Sequence, residues 1–506
     1  MNLAASRSVS LAASRRRPLT ARLTAGLVWF HRWLGIATCL IFAAWFASGA
    51  ILLFQPFPSL GKGEAVAMAE PIAVGMVRIS PAQALALAGK DATGLRLVQR
   101  AAAPAYLAPT AGGLVVLDAS TGARLDPIGA SQAASIVAAA GFRAARVEGP
   151  FAYDQWIVHN QFDPVRPFFR VGLGDGAGTQ LYVSAITGEI AQRTTFRERA
   201  WNWGGAVLHW VYVTPLRSSF TAWDRTVWWL SFVAMLVAVA GTVLGVIRTV
   251  AVKRAGRPGL SFFRLKWLRW HHLLGLFASV FVLGWILSGW LSMDHGRLFS
   301  RGQASPKEQA RYAGMSLDRV VAGVPASFVM TLSCAKAVGF AGIGGVPLLQ
   351  VTGRDGKTAL FARDGSPIGI PERDRIFRSG IGAGWPDASI GARQRPSRAD
   401  LYLLAEGMPE STVLYRLEAG RTSIYVDMAD GRIVTVMGTS RAAYAWIYYA
   451  LHTFNFPGLS GHPMLRKVVV LIALLFGFLF SITGVVIGYQ RLRKSIRRAN
   501  PSGARS

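Results

Sequence analysis

Trp29-Phe30-His31-Arg32-Trp33-Leu34-Gly35 returns as Trp270-His271-His272-Leu273-Leu274-Gly275, with His271 standing 240 residues after His31 and Gly275 the same distance after Gly35. The copy continues along the apolar stretch that each run opens. Trp45-Phe46-Ala47-Ser48-Gly49 matches Trp285-Ile286-Leu287-Ser288-Gly289 at the same shift. A second pair follows at a shift of 243, with Leu208-His209 on Leu451-His452 and Gly241 and Gly245 on Gly484 and Gly488. The chain is a duplication in which histidines keep their places.

Over 506 residues, 52% hydrophobic content and a mean hydropathy of +0.34 exceed what an ordinary soluble protein carries. Crossing a hydrocarbon core of ~30 Å takes roughly 20 apolar residues in a helix. Four segments qualify, 24 to 54, 226 to 247, 270 to 292 and 466 to 489. Two long polar stretches lie between them, 56 to 198 and 294 to 441, each long enough for a core of its own.

The formal charge of +29 raises nucleic acid as a partner, but its distribution argues against one. Residues 1 to 33 carry Arg7, Arg15, Arg16, Arg17, Arg22 and Arg32. Arg248, Lys253, Arg254, Arg257, Arg264, Lys266 and Arg269 fill the short loop after the second, and Arg491, Arg493, Lys494, Arg497, Arg498 and Arg505 the tail. None of the three contains Asp or Glu. Positive charge in short helix-flanking segments marks the cytoplasmic side. Both termini and the loop are therefore expected inside, both long stretches outside, and anionic lipids are the expected partner of the charge.

A cleaved signal peptide would have a shorter apolar run ending at small residues. The run here carries the repeated His31, Trp45 and Ser48-Gly49, which reads as a retained helix. Cys39 lies in that helix and Cys334 in the second outer stretch, so no disulfide is expected between them.

The duplication extends outside the membrane. Leu181-Tyr182-Val183-Ser184-Ala185-Ile186-Thr187-Gly188 matches Ile424-Tyr425-Val426-Asp427-Met428-Ala429-Asp430-Gly431, and Gly122 matches Gly365, all at 243. Each reads as a hairpin arm ending in a glycine turn. Ser80-Pro81 caps a short helix, and 131 to 137 reads as another, so each outer half is expected to combine small helices with antiparallel sheet. Gly172-Leu173-Gly174-Asp175-Gly176-Ala177 formally fits a dinucleotide pattern but opens onto a strand, and is read as a hairpin turn. Zinc-protease, nucleophile-elbow and Walker sequences are absent.

Eight histidines remain to be placed, and ionisable groups at membrane depth are costly and mark function. His31 and His271 start the first and third membrane helices. His209 lies 32 residues before Gly241, about 48 Å if wholly helical, so it sits at or beyond the outer face on a helix broken near Pro215. His452, followed by Pro457, repeats it. Pseudo-two-fold symmetry would set His31 against His271 and His209 against His452. Facing imidazoles suit the two axial positions of a b-type haem, and two such pairs predict two haems. Without Cys-x-x-Cys-His, covalent attachment is excluded. His272 is the alternative to His271. His159 and His295 have no counterpart (position 55 is Gln) and read as surface or turn residues, with a substrate or third-haem role as the alternative; His462 sits in an exposed Ser460-Gly461-His462-Pro463 turn.

The chain resembles the PepSY-associated transmembrane proteins, which include inner-membrane ferric-siderophore reductases. The resemblance rests on His31-Arg32-Trp33-Leu34-Gly35, on the repeated Tyr-Val-x-x-x-x-Gly strands, and on Arg441 followed by Trp446-Ile447-Tyr448-Tyr449-Ala450-Leu451-His452-Thr453. It implies a membrane protein of four transmembrane helices with internal pseudo-two-fold duplication and two periplasmic α+β PepSY-like lobes. The expected boundaries are a basic cytoplasmic tail 1–23, the first membrane helix 24–54, the first lobe 55–198, and an interfacial helix with the second membrane helix 199–247. A cytoplasmic loop 248–269 and the third helix 270–292 follow, then the second lobe 293–441, an interfacial helix with the fourth membrane helix 442–489, and the tail 490–506. It further implies electron transfer across the bacterial inner membrane to a ferric siderophore or other ferric chelate. The cytoplasmic segments are too short for a flavin or NAD domain, so a membrane quinol or a separate reductase supplies the electrons. The rival reading is a membrane-anchored PepSY module that binds peptide or regulates a peptidase, and a plain anchor gives no reason for matched membrane histidines. A transporter is a third, poorly supported by four helices without an interrupted midplane site.

Overall fold

The computed structural model describes residues 19–326, 332, 334–397, 400, 408–418 and 421–499. Arg7, Arg15, Arg16, Arg17 and Arg505 of the basic tails lie outside the described residues. Leu19–Leu52, Phe220–Arg254, Lys266–Ser292 and Pro463–Ala499 form four helices long and apolar enough to cross a membrane. All four start before their expected limits and the second and fourth also run past their expected ends, because charged residues such as Asp224 and Arg248 end the apolar stretch without ending the helix. Hydrophobicity measures the fit to lipid, whereas helix ends are set by caps and breakers. The chain divides into two compact units.

The first unit gathers Met1–Ala43, Ser231–Ile286 and Leu475–Ser506, the portions of the four helices that hold His31 and His271. Small residues let these helices approach, as is usual where lipid gives no hydrophobic drive for association. A Cβ on Gly275 would meet the Phe480 ring at 2.8 Å, and one on Gly488 would meet Ile36 at 3.5 Å.

The second unit comprises Ala44–Leu230 and Leu287–Leu474. The first copy supplies β1 (Arg96–Arg100), β2 (Ala103–Thr110), β3 (Gly113–Asp118), β4 (Arg146–Phe151), β5 (Phe168–Gly172), β6 (Gln180–Ser184) and β7 (Ile190–Thr194). The second supplies β8 (Ala337–Ile343), β9 (Val346–Thr352), β10 (Thr358–Ala362), β11 (Thr412–Leu417), β12 (Thr422–Asp427) and β13 (Ile433–Met437). The shift of 243 is visible in β7 and β13, which occupy equivalent residues throughout. β4-β5-β6-β7 is one antiparallel sheet and β11-β12-β13 another. The counterpart of β4 is present as two isolated bridges, at Ile390 and Gln394.

The remaining strands join the two copies. β10-β9-β8-β1-β2-β3 is a single six-stranded sheet in which β1 pairs antiparallel with β8. Arg96 pairs with Leu107 and its copy Gly339 with Gln350, both at 243, and Arg96 and Gly339 stand directly opposite each other. The pseudo-two-fold axis of the sheet therefore passes between Arg96 and Gly339. Leu97, Tyr106 and Leu117 share one buried core with Val338, Phe340 and Leu349. The two lobes are thus fused through a common sheet and core. Ser80 caps Pro81–Ala88 with Gln83 completing a capping box, as its sequence predicts. The turn glycines Gly122, Gly188, Gly365 and Gly431 all hold positive φ, from 72° to 86°. The segment from Leu173 to Thr179 connects β5 to β6, the hairpin read at that position.

Candidate functional site: two histidine pairs

His31, on the first membrane helix, and His271, on the third, bring their ring centres within 6.4 Å at an interplanar angle of 40°. Neither ring is loose. His31 donates its Nδ1 hydrogen to the Val237 carbonyl at 3.1 Å. His271 Nδ1 lies 2.9 Å from Thr483 Oγ1, and that hydroxyl gives its own hydrogen to the Phe480 carbonyl. Thr483 can then only accept, so His271 also carries its proton on Nδ1. In both rings Nε2 is left with its lone pair.

His209 and His452 meet in the second unit with ring centres 6.3 Å apart and planes at 63°. A helix capped by Thr195, Phe196–Asn202, widens into an i→i+5 turn at Trp203–Val207 before Leu208–Trp210. The second copy repeats this with Thr439–Ala445 and a wide turn over Trp446–His452. Such turns are rare and gather at functional positions. The break expected near Pro215 falls earlier, at Val211 with φ of +54°, and in the second copy at Phe454 with +58°. Pro215 and Pro457 instead open the next short helices, Thr214–Arg217 and Pro457–Ser460. Proline is harmless in a first helical turn, where its missing N–H has no partner to lose.

The anchoring recurs here. His209 Nδ1 is 3.0 Å from Ser48 Oγ, which donates to the Trp45 carbonyl at 3.1 Å, so His209 is the Nδ1–H donor. His452 Nδ1 is 3.0 Å from Ser288 Oγ, the repeat partner of Ser48.

Each imidazole also lies in a recess left by a glycine on another helix. A Cβ on Gly241 would come 2.6 Å from His31 Cε1, and one on Gly484 3.5 Å from His271. Gly49 and Gly289 stand at 3.6 and 3.2 Å from the Cε1 atoms of His209 and His452. The repeated glycines are thus the floor under the repeated histidines.

A ring fixed through Nδ1–H and bare at Nε2 is the usual state of a metal-ligating histidine. Two metal–imidazole bonds of about 2.0–2.1 Å, with about 1.1 Å from nitrogen to ring centre on each side, would separate the centres by roughly 6.3 Å. Both pairs have that spacing. Among the described residues no group of three or more His, Cys, Asp or Glu converges, so a metal here must bring its other donors. The donor set fits a b-type haem, whose macrocycle supplies the equatorial nitrogens.

The remaining histidines are engaged otherwise. His272, buried at 7% exposure, has Nε2 at 3.0 Å from the Gly245 carbonyl and Nδ1 at 3.2 Å from Ser261 Oγ. Both ring nitrogens of His272 are thus engaged in hydrogen bonds. His159 Nδ1 accepts the Gln161 N–H and caps the turn Asn160–Val165. His295 is held at 2.6 Å by Asp224 Oδ2, against the Trp228 ring. His462 is exposed in its turn. Sequence reasoning missed the anchors. Val237 acts through its main chain, which no side-chain pattern reveals, and Thr483 has Ala240 as its copy, so the repeat conceals it. Ser48 and Ser288 were visible as a match without a role.

The family model for the PepSY-associated TM region matches residues 28–319, more than half of the chain. The chain belongs to that family. The match takes in His31, His209 and His271 of this PepSY-associated TM protein, while His452 lies beyond it and is reached through the internal repeat. No curated protein matches the chain.

Proposed function

We propose that this PepSY-associated TM protein is a di-haem oxidoreductase of the bacterial inner membrane that passes electrons to a periplasmic ferric siderophore or other ferric chelate. One observation carries the reading: both imidazole pairs have ligand spacing, Nδ1 anchors and glycine recesses, in a membrane protein where a plain anchor needs none of them. His31 with His271 would hold one haem and His209 with His452 the other. Bound haem supplies one-electron chemistry at a potential set by its surroundings.

The protein's own part is to fix four rings through Nδ1, keep Nε2 unprotonated in His31, His271 and His209, and bury the pairs in an apolar bundle. The basic loop after the second helix supports an orientation with both termini inside and the sheets outside. In that orientation His31 and His271 form the inner pair, and His209 and His452 the outer one. Electrons come from a membrane quinol or a separate reductase. Reduction of the chelated ferric ion to Fe(II) weakens its binding to hard oxygen donors and releases the metal, which is the benefit to iron uptake.

The test is anaerobic reduction of a trihydroxamate ferric chelate by the purified, pre-reduced protein, with ferrozine trapping Fe(II). Trapped Fe(II) in step with haem reoxidation is the expected result. Haem that stays reduced in the presence of the chelate would reject the acceptor.

A further inference from the structure

A cleft of about 340 Å³ opens in the second unit, on the seam between the two copies. The first copy supplies Glu70 and Pro71, just past the helix Lys62–Met68, and Ala139 and Ala140 at the end of Ala130–Ala139. The second supplies Lys336, one residue before β8, and Arg354, in the turn between β9 and β10. The seam is tied on both sides of the cleft. Lys336 Nζ donates to the carbonyls of Val66 and Ala67 at 2.8 and 2.9 Å, closing the end of the helix. The Ile72 N–H donates to the Ala335 carbonyl at 2.8 Å. A Cβ on Gly356, in the same turn as Arg354, would stand 3.7 Å from Gly63. The walls are therefore held in place without Glu70 or Arg354.

Those two side chains carry opposite charges into one small space and do not meet. Among the described residues neither enters an ion pair, so the carboxylate and the guanidinium stand more than 4.0 Å apart. Burial pushes the Glu70 carboxyl up from its ordinary range, and burial followed by the Arg354 charge holds the Lys336 amine below its own. Each of these groups stands to gain from an opposite charge. Lys336 spends two of its three ammonium hydrogens on the helix, which leaves one to give. At the shift of 243 the first copy has Thr93 and Ala111 in the places of Lys336 and Arg354, so this cationic wall exists on one side of the pseudo-two-fold only.

We propose that the cleft binds a small dipolar ligand, with its ammonium end against Glu70 and its carboxylate end against Arg354 and Lys336. A singly charged ligand would satisfy one wall and leave the other as it was. The volume falls at the small end of the roughly 300–1,000 Å³ typical of ligand sites. Pro71, Ala139 and Ala140 offer apolar surface to a short chain between the two charges. The ligand class is thus a short ω-amino carboxylate, or a compound whose ends match one. The site shares no residue with the histidine pairs and stands without the di-haem reading. Because its walls come from both copies, occupancy tightens the seam between them.

The experiment is isothermal titration calorimetry on the full-length protein in nanodiscs, with 3-aminopropanoate, 4-aminobutanoate and 5-aminopentanoate as probes and butanoate and butylammonium as singly charged controls. At least one dipolar probe should bind saturably, and at least tenfold more tightly than either control. Glu70→Gln should remove the advantage over butanoate, and Arg354→Gln the advantage over butylammonium. Arg354→Lys, which keeps the charge in an exposed turn, should retain most of the binding. No saturable binding of any of the three probes would overturn the proposal. Butanoate binding as tightly as the dipolar probes would reduce the cleft to a plain anion site, and unchanged binding in both glutamine variants would place the ligand elsewhere.

Discussion

His31 rests on Gly241: a methyl group at that glycine would come 2.6 Å from Cε1 and 3.1 Å from Nδ1 of the imidazole. The contact joins the first and second membrane helices and leaves the ring one place to sit. Gly241→Ala should therefore displace His31 at an overpacking cost of about 1–3 kcal/mol. The expected readout is loss of one of two haems per chain. Gly26→Ala, on the same first helix with nothing within 4 Å of its Cβ position, should keep both. Equal haem content in the two variants would show that the recess does not hold the ring.

The histidines themselves separate the two centres. His31→Ala or His271→Ala should remove one haem, and His209→Ala or His452→Ala the other, since six-coordinate low-spin iron needs both axial nitrogens. His272→Ala should retain the full bis-imidazole spectrum, because that ring is already tied at both nitrogens to Gly245 and Ser261. His159→Ala and His295→Ala should also keep two haems. A haem lost with His272→Ala but kept with His271→Ala would reverse the assignment. On the proposed function, which sets the two carriers in series, loss of either haem alone should abolish ferric reduction driven from the cytoplasmic side.

The duplication made much of this legible in advance. Apolar runs locate the four helices, and the shifts of 240 and 243 pair His31 with His271 and His209 with His452 from the sequence alone. The fusion of the lobes was not legible. Each half reads as combining small helices with antiparallel sheet, without a pairing between the copies; in the structure β1, outermost of the first copy's three strands in that sheet, pairs on its other side with β8, its own copy. Edge pairing is made by main-chain groups that every residue carries, so sequence pattern says little about which edge meets which. The anchors divide along the same line: Ser48 and Ser288 stand out as repeated side chains, whereas the Val237 carbonyl does not.

The shared sheet can be tested by covalent trapping. Directly opposite residues in an antiparallel pair lie about 4.5–5.5 Å apart at Cα, within the range a disulfide spans. Arg96→Cys with Gly339→Cys, in a Cys39→Ser and Cys334→Ser background, should oxidise to an intramolecular bridge. Peptide mapping by mass spectrometry would find it. Failure to cross-link under conditions that oxidise an exposed control pair would argue against the β1–β8 junction.

Orientation has its own test. A cysteine at Gly176 or Gly365 should react with an impermeant maleimide added outside intact cells, and one at Arg257 should react only after lysis. The reverse pattern would turn the protein over in the membrane and place the chelate on the wrong side.

The most direct measurement is the reduced-minus-oxidised optical spectrum of the full-length protein purified from haem-replete cells, combined with pyridine haemochrome quantitation. Two imidazole pairs with matched spacing predict sharp reduced α and Soret bands and close to two b-type haems per chain. One haem would leave a single pair as a ligand site. A featureless visible spectrum would contradict the central claim and favour a PepSY module held in the membrane by its helices.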